Sequence, residues 1–191
     1  MARPVEFDRP QAVNRALVLF WRKGYQASSL AELLAVMGIG RSSFYAAFTD
    51  KRSFYTECLD LWAARTLELL QRARTEQPPL AALQSFFNRS FVGSREAHAS
   101  WGCMLVNTVL EMAEVDDELA ARASHHLNEM QRIFQACLQD AGAAPARARE
   151  LAAMLMLFNE GIRVSSRRRL PNAQQLQPIT TTFRLIRKAL T

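Results

Sequence analysis

Apolar residues recur every three or four positions along almost the whole chain, which is the spacing of one face of an α-helix. The first such stripe comprises Ala12, Val13, Ala16, Leu17 and Phe20. The last comprises Leu176, Ile179, Phe183, Ile186 and Leu190. Only 7 of the 191 residues are glycine and 7 are proline, too few for a protein made of many tight turns. The pattern predicts an all-α fold of about nine helices.

Positive charge is concentrated near the N-terminus. The formal net charge is +6, and residues 1–52 carry 8 basic and 4 acidic side chains. Such an asymmetry is typical of proteins that bind a polyanion such as a nucleic acid. Ordinary surface charging is the alternative, and charge alone does not distinguish the two.

Other classes of protein are excluded by what the sequence lacks. Cys58, Cys103 and Cys137 are too widely spaced for a disulfide framework or a metal-binding pair, which predicts a cytoplasmic location. Neighbouring side chains on a helix point about 100° apart, so His125 and His126 make a poor metal site. There is no signal-peptide core and no apolar run long enough to span a membrane. Without paired carboxylates, a Ser/His/Asp set or a phosphate loop, we expect no enzyme, metal or cofactor.

Two short helices are predicted to follow a longer one within residues 1–52. Ser29 and Glu32 have the spacing of a capping box, which starts the first short helix. Gly38 ends that helix, and the second short helix covers about residues 41–48. Asp50 then caps a long fourth helix. This layout is that of a helix-turn-helix motif.

The second short helix has side chains suited to the major groove of DNA at its N-terminal end. This end carries Arg41, Ser42, Ser43 and Tyr45. Phe44 and Phe48 lie on the opposite side and are expected to anchor the helix to the core. The hydroxyls of Ser28 and Ser29 begin the preceding helix, whose first N–H groups suit a phosphate oxygen.

Several of these residues have a second interpretation. Arg41 is the favoured candidate for reading a guanine edge, and a solvated or phosphate-only Arg41 is the alternative. Tyr45 could be a half-buried aromatic residue without a ligand. Arg22, Lys23 and Arg52 are candidates for phosphate contact and equally for plain surface positions.

These motifs resemble the N-terminal DNA-binding domain of the TetR family of bacterial transcription regulators. The resemblance covers about residues 10–56 and is carried by Phe20, Gly24-Tyr25, Ser28-Ser29-Leu30, Leu33, Gly38-Ile39, Ser43-Phe44-Tyr45, Phe48 and Lys51. It implies DNA contacts by Ser28, Arg41, Ser42, Ser43, Tyr45 and Lys51, with Tyr45 and Lys51 on backbone phosphates. The sequence departs from the family at Leu34 and Met37, where small alanines are usual, and at Gly40, where a Ser or Thr cap is common.

The resemblance also implies a division of the chain into two domains. Residues 1–52 are expected to form the DNA-binding domain, and residues 53–191 an effector-binding and dimerisation domain. Gly102-Cys103 followed by Asn107 is similar to a stretch in one branch of the family. The last two helices, about 145–169 and 172–190, are expected to pair with those of a second subunit. Packing of their apolar stripes within one subunit is the alternative.

An effector pocket is expected among large apolar side chains of the second domain. The candidates are Trp62, Phe87, Phe91, Trp101, Cys103, Met104, Asn107, Phe134 and Phe158. Each of these could instead be an ordinary core residue. Cys103 has two interpretations, a reactive thiol that senses electrophiles or oxidants and a buried inert thiol.

The function expected from the resemblance is ligand-responsive transcriptional regulation. The protein would bind a pseudo-palindromic operator as a dimer, act as a repressor, and be released by a small-molecule effector. One short recognition helix reads few base pairs, so a two-fold dimer is the geometric solution. The alternative is a DNA-binding protein whose C-terminal domain binds a protein partner and no small molecule.

Overall fold

The computed structural model describes residues 7–89, 100–168 and 171–190. These ranges contain nine helices and no strand, which confirms the predicted all-α fold. The helices are α1 (Arg9–Lys23), α2 (Leu30–Met37), α3 (Arg41–Ala47), α4 (Lys51–Glu76), α5 (Pro79–Arg89), α6 (Met104–Met112), α7 (Asp117–Asp140), α8 (Pro145–Ser166) and α9 (Asn172–Leu190). None of these described helices is both long enough and apolar enough to cross a membrane.

Local capping signals set the boundaries of the N-terminal helices. The side chain of Asp8 accepts a hydrogen bond from the backbone N–H of Gln11 at 2.9 Å, which caps α1. Both hydrogen bonds of the predicted capping box are present at the start of α2. Gly38 ends α2 with a left-handed backbone (φ 71°), a conformation that glycine adopts without steric cost. Asp50 caps α4 by accepting from the backbone N–H of Ser53 at 2.7 Å.

An aromatic core joins α1, α3 and the start of α4. The fully buried ring of Phe54 lies between Phe44 and Phe48 of the helix-turn-helix, with centroids 5.5 and 4.1 Å away. Phe20 of α1 packs on Tyr55 at 4.8 Å. Because Phe54 and Tyr55 belong to α4, the long helix is part of the core that supports α3. It also runs through the boundary predicted at residue 52.

Helices α4 to α9 pack around a second aromatic cluster. The buried ring of Phe87 on α5 contacts Phe134 of α7, Phe158 of α8 and Phe183 of α9, with centroid distances of 5.5 to 5.7 Å. Helix α6 is sandwiched, since it packs on α7 and α8 as well as on α1 and α4. Like α4, which packs on α1, α5 and α7, it therefore contacts both the N-terminal helices and the C-terminal bundle.

Candidate nucleic-acid interface

Helix α3 presents a polar face that the helix-turn-helix core holds from behind. Phe44 and Phe48 are buried, whereas Arg41, Ser42 and Tyr45 are exposed. The Tyr45 ring is 52% exposed and packs edge-on against Phe44 at 5.5 Å. The anchor and the exposed face predicted from the sequence are thus on opposite sides of the helix. Ser43 is half-buried between them.

Arg41 stands at the first position of α3, after Gly40. Within the described residues its guanidinium makes no ion pair and no side-chain hydrogen bond. A planar guanidinium with five free donors can bind a guanine edge or a phosphate with two parallel hydrogen bonds. Arg41 therefore has the chemistry and the exposure that the sequence interpretation requires.

The two serines before α2 are engaged within the chain. Ser28 is fully buried and its hydroxyl donates to the backbone carbonyl of Gly24 at 2.7 Å. The Ser29 hydroxyl donates to Glu32 Oε2 at 3.0 Å and accepts from the Glu32 backbone N–H at 3.2 Å. A phosphate contact by either hydroxyl requires an exchange of these bonds, whereas Ser29 itself is exposed at the helix start.

Of Arg22, Lys23 and Arg52, the other candidates for phosphate contact, the last two form ion pairs within the chain. Lys23 Nζ lies 2.6 Å from Glu32 Oε1, and this hydrogen bond is the main cause that lowers the pKa of Glu32 to about 2. Arg52 Nε lies 2.6 Å from Asp116 Oδ2 and its Nη2 lies 2.7 Å from Glu118. Arg52 therefore joins α4 to the start of α7, which is a structural role. Arg22 is exposed.

Lys51 lies beside the turn that precedes α2. Its Nζ is 4.3 Å from the centroid of the Tyr25 ring, a cation–π contact. Burial lowers the pKa of Lys51. The ammonium group is therefore held in place at the edge of the N-terminal unit rather than extended freely into solvent.

A carboxylate of α6 holds the turn between α1 and α2. Glu111 accepts hydrogen bonds from the backbone N–H groups of Tyr25 and Gln26, at 2.9 and 2.8 Å. Gly24 precedes them with φ 86°, and a Cβ at this position would lie 2.5 Å from Glu111 Oε2. A glycine after the apolar stripe of α1 indicates a helix end, whereas the contact of Gly24 with Glu111 has no signal in the sequence.

A cluster formed by the three tryptophans, Trp21, Trp62 and Trp101, makes a second link between α1 and α6. The Trp21 ring packs on Trp62 at 4.4 Å and on Trp101 at 5.2 Å, and its Nε1 donates to the Gly102 carbonyl at 3.1 Å. The carbonyl of Trp101 accepts from Asn107 Nδ2 at 2.8 Å. The Gly102 and Asn107 positions singled out in the sequence thus build the turn that starts α6.

The structure distributes the predicted effector-pocket residues over different places. Trp62 and Trp101 belong to the tryptophan cluster, whereas Phe87, Phe134 and Phe158 form the second aromatic cluster. Cys103 and Met104 are buried at the start of α6, and Asn107 contacts the turn before it. Phe91 lies outside the described residues.

Two apolar grooves lie on the outer side of α8. A groove of about 300 Å³ between α8 and α9 is lined by Leu151, Met154, Phe158, Leu185 and Ile186, among others. A groove of about 460 Å³ lies between α6, α7 and α8. Among the predicted pocket residues that the structure describes, Phe158 is the one that lines either of them. In the described part of the chain, no three His, Cys, Asp or Glu side chains are placed to hold a metal ion.

Comparison with known protein families gives a match for the N-terminal part of the chain and another for the C-terminal part. Residues 13–58 match the model of bacterial regulatory proteins of the tetR family. Residues 79–180 match the C-terminal domain of LmrA/YxaF-like transcriptional regulators. The chain is 28% identical over 193 residues to the HTH-type transcriptional repressor ComR of Escherichia coli, covering 96% of this chain and 90% of ComR.

Solved structures have the same fold over nearly the whole chain. The cysteine mutant of the TetR family regulator CifR, complexed with 26-base-pair operator DNA, superposes with a TM-score of 0.78. It is 25% identical, and the match covers 95% of this chain and 98% of the CifR chain. A TetR-family regulator of Streptomyces coelicolor matches with a TM-score of 0.84 at 13% identity, covering 95% of each chain, which supports the fold alone.

Proposed function

The chain belongs to the TetR family of transcriptional regulators, and on that premise we propose that it is a ligand-responsive repressor. It binds a pseudo-palindromic operator as a homodimer in the cytoplasm, and a small-molecule effector releases it. DNA binding and transcriptional regulation follow from the family itself. The repressor role, the effector and the dimer are our proposal.

The observation that carries the proposal is the exposed polar face of α3. Arg41 projects from it without an ion pair in the described residues, and buried phenylalanines fix the helix from behind. We assign base reading to Arg41 and Ser42, and groove or phosphate contact to Ser43 and Tyr45. Lys51 contacts phosphate beside them. Ser28 and Ser29 set the start of α2, whose backbone N–H groups face the same partner.

Dimerisation through α8 and α9 is supported by the apolar side chains that these helices expose. Met154 on α8 and Leu185 on α9 are exposed and line the same groove. Contiguous exposed apolar surface on a protein of this size is a feature of interaction sites. A two-fold axis at this face would give the DNA two copies of α3, as a pseudo-palindrome requires.

Release by an effector requires a link between the C-terminal bundle and α3. Helix α6 offers this link, because Glu111 holds the turn before α2 and Gly102 holds Trp21. Helices α4 and α6 are themselves joined by a hydrogen bond between the side chains of Tyr55 and Thr108. A coupling free energy of about 1–3 kcal/mol between the two sites changes operator occupancy about 5- to 150-fold.

Selection from random duplex DNA tests the proposal. We expect enrichment of one pseudo-palindrome, and we expect Arg41→Ala to lose about 1–3 kcal/mol of discrimination at one base pair in each half-site. Arg132→Ala, which removes an exposed arginine from α7, is the control and leaves discrimination unchanged. Equal discrimination by the folded Arg41→Ala variant would contradict the assignment.

Release of the bound operator by a small molecule separates the effector proposal from regulation by a protein partner.

A further inference from the structure

The groove between α6, α7 and α8 has apolar walls on all three helices. Its apolar lining residues are Val106, Val109, Leu110, Leu127, Leu157 and Val164, and Ser124 and Asn128 of α7 add polar groups. The volume is about 460 Å³, larger than that of the groove between α8 and α9. The groove therefore offers a largely apolar surface on a face that the rest of the described chain does not cover.

The leucines at the rim of this groove are far more exposed than core packing would leave them. Leu110 is 68% exposed and Leu157 is 70% exposed, and Val164 follows at 49%. Single exposed leucines are common on protein surfaces, but several around one groove indicate an interaction site. Leu157 also lies one turn from Met154, so α8 carries this patch directly into its groove with α9.

One carboxylate lies in the groove without a partner. Glu160 makes neither an ion pair nor a side-chain hydrogen bond with any described residue, and burial raises its pKa. Arg168 and Arg184, near the end of α8 and on α9, are exposed and likewise have no carboxylate partner within the described ranges. The chain thus carries both an unpaired carboxylate and unpaired arginines on the helices that are proposed to dimerise.

We propose that a second copy of the chain occupies this groove, so that the dimer contact extends from α8 and α9 onto α6 and α7. The inference rests on the proposed dimer. The second copy offers what the groove lacks, namely an apolar helix face to cover the leucines and an arginine for Glu160. Shared use of α8 makes the groove continuous with the proposed face.

A second copy in this groove would contact α6 next to the residue that holds the turn before α2. Leu110 on this helix faces the groove, and the next residue, Glu111, holds the turn before α2. Helix α6 is then fixed on one side by the second copy and on the other by the DNA-binding unit of its own chain. A change at the dimer contact therefore reaches the turn before α2 through α6.

Sedimentation equilibrium of the full chain and of matched variants tests whether the dimer contact extends onto α6 and α7. We expect Leu110→Asp to weaken self-association at least about tenfold, because it places a charge in an apolar contact. Leu69→Asp changes another exposed leucine, which lies on α4 and is 58% exposed, and it leaves self-association unchanged. Both variants should keep the helix content of the parent protein in circular dichroism, since neither side chain is part of the core. Unchanged self-association of Leu110→Asp would overturn the proposal.

A variant on α9 separates this proposal from the one on which it rests. Leu185→Asp tests the contact between the last two helices alone. If Leu185→Asp weakens the dimer and Leu110→Asp does not, the proposed dimer stands and its extension fails. A monomeric parent protein overturns both.

The charge of Glu160 gives an independent test. Glu160→Arg should weaken the dimer at least about fivefold by repelling the second copy's arginines, whereas Glu160→Gln should weaken it less. Equal dissociation constants for these two variants would overturn the pairing of Glu160 with a cation.

Discussion

Gly24 is the residue at which local and long-range requirements meet. Its φ of 86° and ψ of 179° lie in a region of backbone conformations that only glycine occupies readily. Its missing side chain also leaves room for the Glu111 carboxylate. The first requirement is visible in the sequence, because a glycine after an apolar stripe predicts a helix end. The second is not visible, since Glu111 lies 86 residues after Tyr25, the residue whose N–H it accepts.

Alanine at position 24 is therefore expected to be costly. The strained backbone alone lowers the free energy of unfolding by about 1–3 kcal/mol. The new methyl group also displaces Glu111, which weakens its hydrogen bonds to the turn before α2. Gly24→Ala should thus lose stability in urea denaturation and also bind the selected operator more weakly.

Gly142→Ala is the matched control for this prediction. Gly142 also has a positive φ, 95°, but a Cβ there would meet no atom within 4 Å. Gly142→Ala should therefore lose only the free energy of unfolding that the strained backbone costs, and it should bind the operator as the parent protein does. Equal effects of both substitutions on operator binding would show that the Glu111 contact does not position the turn.

At the scale of helices, prediction succeeded wherever the signal was local. The capping box of Ser29 and Glu32, the end at Gly38 and the cap at Asp50 all lie within a few residues of the helix ends they define. Contacts between helices were not predictable in the same way. A stripe states which face of a helix is buried, but it does not identify the neighbouring helix. The positions of the predicted pocket residues in the tryptophan cluster and in the second aromatic cluster could therefore not be predicted.

The contact between α4 and α6 illustrates an interhelical bond that periodicity cannot predict. Tyr55 Oη lies 2.6 Å from Thr108 Oγ1, and both residues are buried. Thr108 donates its single proton to the Met104 carbonyl at 2.7 Å, so Tyr55 must be the donor in the bond between the two side chains. Burial raises the pKa of Tyr55, which keeps this proton in place.

Removing the acceptor should therefore cost more than removing the donor. We expect Thr108→Val to lower the free energy of unfolding by about 1–3 kcal/mol, because it leaves a buried hydroxyl without an acceptor. Tyr55→Phe removes that hydroxyl and should cost about 0.5–1.5 kcal/mol. In the double variant the two costs should not add, which urea denaturation of all four proteins measures.

Thr66→Val is the control for the effect of the threonine itself. Thr66 also donates to the carbonyl four residues earlier, that of Trp62, at 2.9 Å. No tyrosine hydroxyl depends on it, so its replacement should have the smaller effect. Fully additive costs of Tyr55→Phe and Thr108→Val would rule out the donor assignment.

At the scale of the whole molecule, the two-fold symmetry of the proposed homodimer doubles every contact with DNA. The cations that remain available are those that internal pairing does not use, since Lys23 and Arg52 hold carboxylates of their own chain. The sequence does not distinguish the paired cations Lys23 and Arg52 from the available cations Arg41 and Lys51, because an ion pair depends on which carboxylates the fold brings close. Arg41 and Lys51 are thus expected to differ in role, the first reading bases and the second contacting phosphate.

The salt dependence of operator binding distinguishes these roles. Each neutralised phosphate contributes about 0.9 to the slope of log K against log salt, so removing two per dimer lowers its magnitude by about 1.8. Lys51→Met removes the charge but keeps an apolar stem on the Tyr25 ring, and it should weaken all operators equally. Arg132→Met on α7 should leave the slope unchanged. A Lys51→Met slope equal to that of the parent protein would exclude phosphate contact, and loss of discrimination between operators would assign Lys51 to base reading instead.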